Sequence, residues 1–222
     1  MDTDDDSRNW HDGCEKCEAR NAFVIPEIIA EFQRYNVEAS AFVGSATAYI
    51  PHKVTSEYPL RACVLIDPHI RRMNFSNSVH IEAKTVERIV EEFESAILPQ
   101  ALDALVVSNT LLEFELQEAF VASCWKSLRN GGRLLIFLPD VLEDVVGAYI
   151  RGDHDALKNF SEGCHQLTKK DKFTEKDYNF FAQRNVTILA KFLDLGFVLR
   201  KLKLSKTTPK YVMMLLERTD AH

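Results

Sequence analysis

Along most of the chain, short apolar runs alternate with stretches of helical periodicity, and no other feature narrows the fold as far. The apolar runs fall at residues 40–43, 62–66, 78–81, 104–108 and 133–138, each bounded by turn or polar residues. Runs of this kind suit strands buried on both faces, which arises when helices cover both sides of a mainly parallel sheet. Ahead of the first strand, Pro26 opens a predicted amphipathic helix in which Ile28, Ile29, Phe32 and Tyr35 recur at helical spacing. Two further helices are expected, one from Thr85 or Val86 to about Ser95 and one from about Leu116 to Leu128. The second closes at Asn130-Gly131-Gly132, where glycine permits a left-handed cap. After Leu195-Gly196-Phe197, the runs 198–204 and 211–217 flank a turn containing Thr207, Thr208 and Pro209, so the sheet should finish with an antiparallel hairpin. The expected fold class is α/β, a three-layer sandwich around a mostly parallel seven-stranded sheet.

A length of 222 residues with 46% hydrophobic and 27% charged side chains fits one domain with a sizeable core. Residues 1–21 are acidic and poor in aliphatic side chains, and read as a flexible tail preceding a single domain at 22–222. Within that domain, residues 141–177 are less regular, with Gly147, Gly152 and Gly163, and read as a lid or acceptor insertion over the carboxyl edge of the sheet. The net charge of -6 opposes the positive field that a phosphate backbone requires, so no nucleic-acid partner is expected. No apolar run reaches the roughly 20 residues of a membrane span, and no secretory leader is recognisable, which points to a cytoplasmic protein. Five cysteines, an odd number with Cys63 and Cys124 inside apolar patterns, do not suggest a disulfide framework.

Three segments carry a resemblance. Residues 103–113, Asp-Ala-Leu-Val-Val-Ser-Asn-Thr-Leu-Leu-Glu, and 128–136, Leu-Arg-Asn-Gly-Gly-Arg-Leu-Leu-Ile, are similar to the fourth strand with its loop and to the glycine-led fifth strand of the class I S-adenosylmethionine-dependent methyltransferases. The terminal hairpin matches the antiparallel seventh strand of that Rossmann-like family, and the resemblance spans nearly the whole chain. The family's glycine-rich first turn corresponds to Phe42-Val43-Gly44-Ser45-Ala46-Thr47-Ala48-Tyr49. Here only Gly44 is a glycine; Ala46 and Ala48 stand where the family commonly has glycines, and Phe42 stands where it has an acidic residue. A methyl at each point still lets the backbone approach a ligand, but any position that needs positive φ would be strained.

The second run ends in a carboxylate, Asp67, about 20 residues beyond Gly44, which is the spacing a βαβ unit imposes on a ribose-binding acid. Read alone, Asp67 before Pro68 also suits a turn; beside the other motifs we read it as the acceptor of the cofactor's ribose hydroxyls. The resemblance places Gly44, Ser45, Ala46, Asp67, Ser108 and Asn109 at the cofactor, with S-adenosylmethionine as that cofactor. Ser108 and Asn109 close the fourth strand, where ligands meet open α/β sheets, and they could equally cap the following segment. An acidic residue after strand three often meets the adenine amino group in this family, and the corresponding loop is read as Glu82-Ala83-Lys84-Thr85, without assigning Glu82. Glu113 suits a first-turn carboxylate better than a catalytic one.

The implied activity is methyl transfer to the oxygen or nitrogen of a small-molecule or peptide acceptor. Because alignment of nucleophile and methyl carries most of that reaction, no catalytic acid or base is assigned. The segment Ser108-Asn109-Thr110 lacks the Asn-Pro-Pro-aromatic pattern of nucleic-acid amino methyltransferases. Two alternatives stand beside this one: a methyltransferase-like scaffold that has lost turnover, and a nicotinamide-dependent oxidoreductase, which the hairpin and the single glycine oppose. His11, Cys14 and Cys17 have the spacing of half a zinc site, but a closed site needs four ligands and nothing brings Cys164 or His165 to them, so no metal is expected. His154, His165 and Tyr178 fall in or just after the insertion and read as surface groups rather than chemistry, and Lys169, Lys170, Lys172 and Lys176 are interleaved with Asp171, Glu175 and Asp177 as on a solvated helix.

Overall fold

A computed structural model describes residues 17–45, 47–99, 101–108, 117–139, 189–207 and 211–220. Its elements run α1 (Glu18–Tyr35), β1 (Ala39–Val43), α2 (Tyr49–Glu57), β2 (Leu60–Ile66), α3 (Ile70–Ser76), β3 (Ala83–Ile89), β4 (Leu102–Ser108), α4 (Gln117–Ser127), β5 (Leu128–Pro139), β6 (Phe197–Leu204) and β7 (Tyr211–Arg218). Residues 189–194 are also helical. The seven strands form one sheet in the order β3-β2-β1-β4-β5-β7-β6. The pairs among β1 to β5 are parallel, and β7 runs antiparallel to both β5 and β6. This is the mostly parallel sheet with a terminal hairpin that the apolar pattern predicts.

Two apolar layers flank the sheet. On one face, Phe23, Ile28 and Phe32 of α1 and Val54 of α2 pack over Phe42, Leu65, Val106, Leu135 and Leu215. On the other, Phe120 and Cys124 of α4, with Phe93 and Phe192, cover Ala41, Val64, Leu105, Leu134 and Leu216. Alternate residues of each strand therefore enter opposite layers, as the pleat requires. All five residues of the central β1 are buried, which explains why its sequence is apolar without a polar alternation. Burial of the cysteines in these layers pushes the Cys63 thiol up to about 12 and the Cys124 thiol well above its ordinary value, so both act as small hydrophobes.

Several boundaries differ from the sequence expectation. Pro26 lies inside α1, which starts at Glu18, so residues 18–21, read as tail from their composition, form its first turn. Strand three is not 78–81 but Ala83–Ile89, and the helix expected from Thr85 or Val86 to Ser95 does not exist. Ser78 and Val79 instead donate their N–H groups to Phe75 and Ser76 in a turn after α3. Val86 and Ile89 sit three apart and mimic a helical face, whereas β3 is an edge strand with one partner and mixed exposure. The β-branched residues Thr85, Val86 and Ile89 were the signal for a strand. The Asn130-Gly131-Gly132 stretch belongs to β5 rather than to a helix cap, although Gly131 has the expected positive φ, +74°. Residues 141–177 lie outside the described residues.

No helix of the described residues is long and apolar enough to cross a membrane. The outer edges are tied by charge. Lys201 on β6 donates to Glu31 at 2.7 Å and to Glu27 at 3.1 Å on α1, and Lys203 also pairs with Glu27. Arg218 at the end of β7 donates to the Trp125 carbonyl at 2.7 Å and lies over the Trp125 ring, which fastens α4 to the sheet.

Candidate cofactor site

The strand order reverses at β1, because β2 lies on one side of it and β4 on the other. In open α/β sheets such a reversal leaves a crevice outside the carboxyl ends of the strands, where ligands bind. Register places three of the sequence-selected residues at that crevice. Val43 pairs with Ile66 and with Val107, so the residues that follow, Gly44, Asp67 and Ser108, occupy neighbouring strand ends with Gly44 in the middle. Neighbouring strands lie about 4.8 Å apart, so the three span about 10 Å, the scale of a nucleoside.

Gly44 turns the chain with φ +66°, a conformation glycine adopts without steric cost. The next residue, Ser45, donates its N–H to the Ile66 carbonyl at 3.0 Å and its hydroxyl to the same oxygen at 3.4 Å. This bond ties the turn to the end of β2 immediately before Asp67. Ala48 then enters α2 in the left-handed region, φ +64° and ψ 20°. One of the two alanines at family glycine positions therefore does occupy a positive-φ position.

Asp67 is 3% exposed, and one of its carboxylate oxygens accepts the His69 N–H at 2.9 Å. Its own N–H donates to the Ile89 carbonyl at 3.2 Å, which draws the end of β3 alongside. The carboxylate is thus oriented by an Asx-type turn. Ser108 pairs with Phe137, and its hydroxyl is buried without a hydrogen-bond partner among the described residues. A buried hydroxyl without a partner at a ligand edge is a group that an incoming polar atom can satisfy. Ala46 and Asn109, also selected from the sequence, lie outside the described residues, as does Glu113.

Moving strand three moves the loop after it. The carboxyl end of β3 is Ile89, so the acidic residues beside Asp67 are Glu91 and Glu92, both exposed, and not Glu82. Glu82 sits before β3, at the opposite edge, where it pairs with His80 at 2.8 Å. The Glu92 carbonyl accepts the N–H groups of Ser95 and Ala96 in a turn, which leaves Glu91 nearer the strand end. A correct strand assignment would have found this pair from the sequence.

On the far side of Ser108, the carboxyl edge continues through Phe137 to Tyr211, the first residue of β7, which is paired with Pro139. The Tyr211 hydroxyl lies 4.0 Å from the Cys17 sulfur, and burial, followed by Cys17, pushes the phenol up to about 12, so it stays protonated at neutral pH. Cys17 therefore meets a tyrosine; His11, Cys14, Cys164 and His165 lie outside the described residues. Among the described residues no group of three or more His, Cys, Asp and Glu side chains could hold a metal ion.

No family model matches the sequence, and no curated protein matches it by sequence. Solved structures do match the fold. Human N-acetylserotonin methyltransferase in complex with SAM superposes with a TM-score of 0.64 at 14% identity, over 98% of this chain and 57% of the human one. The N-methyltransferase NodS from Bradyrhizobium japonicum WM9 gives 0.56 at 11% identity, over 88% of this chain and 96% of NodS, and it is also known in complex with S-adenosyl-L-homocysteine. The plantazolicin methyltransferase BamL, in complex with a triazolic desmethyl analogue and SAH, gives 0.57 at 14% identity over 97% of this chain and 91% of BamL. With this strand order, antiparallel hairpin and set of neighbours, the chain has the Rossmann-like fold of the class I S-adenosylmethionine-dependent methyltransferases.

Proposed function

We propose that the protein binds S-adenosylmethionine at the crevice around Gly44 and transfers its methyl group to an oxygen or nitrogen of a small-molecule or peptide acceptor. The observation that carries this reading is the juxtaposition of Gly44, Asp67 and Ser108 on three adjacent strand ends, fixed by the Val43 register. Fold alone would not carry it, because one fold hosts many chemistries.

The residues suit the group. Asp67 would accept the ribose hydroxyls, its carboxylate held by the His69 N–H. The backbone at Gly44 and Ser45 offers a close approach beside it, and Glu91 stands at the β3 end for an adenine amino group. Ser108 would meet the amino-acid portion through its unpartnered hydroxyl, with Ala46 and Asn109 assigned to the same site from their sequence positions. The cofactor's sulfonium supplies a methyl carbon that is already activated. The chain's own task is then to bind, to align the acceptor and to exclude water, which requires no dedicated acid or base.

The neighbours whose names identify a small molecule or a peptide-derived substrate support that class of acceptor. The test is to incubate the protein with methyl-labelled S-adenosylmethionine and panels of small amines, phenols, carboxylic acids and short peptides, and to measure release of S-adenosylhomocysteine. The reading predicts release that depends on one class of acceptor. Tight binding of the cofactor with no turnover on any panel would mark a scaffold instead.

A further inference from the structure

Followed outward from the Asp67 carboxylate, hydrogen bonds lead through α3 and return to the neighbouring strand. Asp67 accepts the His69 N–H at 2.9 Å, the His69 carbonyl accepts the Met73 N–H at 3.0 Å, and the Met73 carbonyl accepts the Ser76 hydroxyl at 2.7 Å. Ser76, the last residue of α3, is fully buried and takes two bonds from Arg88 of β3. Arg88 Nε donates to the Ser76 hydroxyl oxygen and Nη2 to the Ser76 carbonyl, each at 3.1 Å. The residue after Arg88, Ile89, accepts the Asp67 N–H at 3.2 Å, which closes a ring. Arg88 makes no ion pair among the described residues; its charge stands at the carbonyl end of α3, where a cation is favoured. A helix of seven residues does not hold its shape alone in water. Its one buried apolar side chain, Met73, presses it onto the sheet, but that hold has no direction.

We propose that Arg88 is a positioning residue for Asp67: by fixing the last turn of α3 to β3, it keeps the His69 N–H against the carboxylate and so sets how Asp67 is presented to the crevice. A planar guanidinium suits this task, because two donors at a fixed spacing hold the Ser76 hydroxyl and carbonyl together. Without it, the end of α3 loses both charged donors, and only the packing of Met73 is left to hold the helix to the sheet. The effect on affinity rests on the reading of Asp67 as the cofactor's ribose acid; the closed ring does not.

Hydrogen exchange on the ligand-free protein tests the ring, and calorimetric titration of S-adenosylhomocysteine tests the positioning role. In Arg88→Met, the His69 and Met73 amides should exchange at least about tenfold faster than in the wild type, with the β1 and β4 amides unchanged. Unchanged exchange at these two amides overturns the ring. The affinity should fall several-fold in Arg88→Met, yet adding Arg88→Met to Asp67→Asn should cause no further loss, because the two residues act as one unit. Unchanged affinity in Arg88→Met, or an equal loss in both backgrounds, overturns the positioning role. If Asp67→Asn binds too weakly to titrate, the carbon-13 resonance of the Asp67 carboxyl decides: it moves in Arg88→Met under the proposal and stays in place otherwise. If Arg88→Met does not fold, Arg88→Lys, whose single ammonium cannot reproduce the fork, carries the same comparisons. If the wild type takes up no S-adenosylhomocysteine, the cofactor reading and the positioning role fail together, while the exchange data still decide the ring.

Discussion

Two of the places where the chain passes through positive φ at a glycine, Gly44 and Gly131, are solved differently. At the carboxyl edge, Gly44 starts a turn that ends on Ala48, a buried alanine in the left-handed region. At the start of β5, the turn keeps both glycines: Gly131 has φ +74°, and a Cβ on Gly132 would lie 2.8 Å from the Arg129 carbonyl oxygen. The first obstacle is torsional and can be offset by packing; the second is a collision with backbone, which packing cannot relieve. The difference teaches why a methyl is tolerated in the ligand-side turn and not in the other. It also explains why a count of missing glycines is a poor guide to whether a site survives.

The sharpest way to break this comparison is Gly132→Ala, which should destabilise the fold by about 3 kcal/mol in chemical denaturation, because backbone must shift to admit the methyl. A loss of a few tenths would refute the collision argument. Next comes the charge that anchors the same turn. Asp103 accepts Arg129 at 2.6 Å and the N–H groups of Glu38 and Ala39, each at 2.9 Å. Burial raises its pKa, but the Arg129 guanidinium and the two amides outweigh burial and hold the carboxyl below its ordinary value. A carboxylate depressed on folding contributes stability above its unfolded value and loses it as pH falls through the folded one. Asp103→Asn should therefore cost about 2 kcal/mol at neutral pH and flatten the fall in melting temperature on acidification below about pH 4. Glu27 and Glu217, held low by lysine and arginine partners against the effect of burial, would keep part of that fall.

Smaller still is Gly131→Ala, where, among the described residues, the only close neighbour of a new Cβ is the Arg129 side chain at 3.6 Å. Its cost is torsional alone and should be about 1 kcal/mol by denaturation. Ala48→Gly should change stability by less than about 0.5 kcal/mol, since relief of the left-handed strain opposes loss of the buried methyl. A loss as large as that of Gly132→Ala would show that the two turns obey the same rule.

The pattern of sequence legibility follows from the same physics. β1, β2, β4 and β5 are central, and their apolar runs declare them because both faces are buried. β3 has only one partner, Lys84, Thr85 and Glu87 are exposed, and Val86 with Ile89 imitates a helical stripe, so the apolar pattern points to a helix instead and misses the Glu91 and Glu92 pair with it. The start of α1 was set too late because Pro26 reads as a first-turn residue, whereas the chain tolerates it inside an 18-residue helix. Gly44, Asp67 and Ser108 were legible one by one from their positions at strand ends. Their alignment was not, since register is decided by the packed sheet rather than by any of the three segments alone.

The central claim, that Asp67 beside Gly44 grips an adenosyl cofactor, is tested most directly by calorimetric titration of S-adenosylhomocysteine into the wild type and Asp67→Asn, with both shown to be folded. A micromolar site in the wild type that weakens at least about tenfold in the variant is the predicted result. No binding by the wild type at millimolar ligand, or equal affinities in the two proteins, would contradict it.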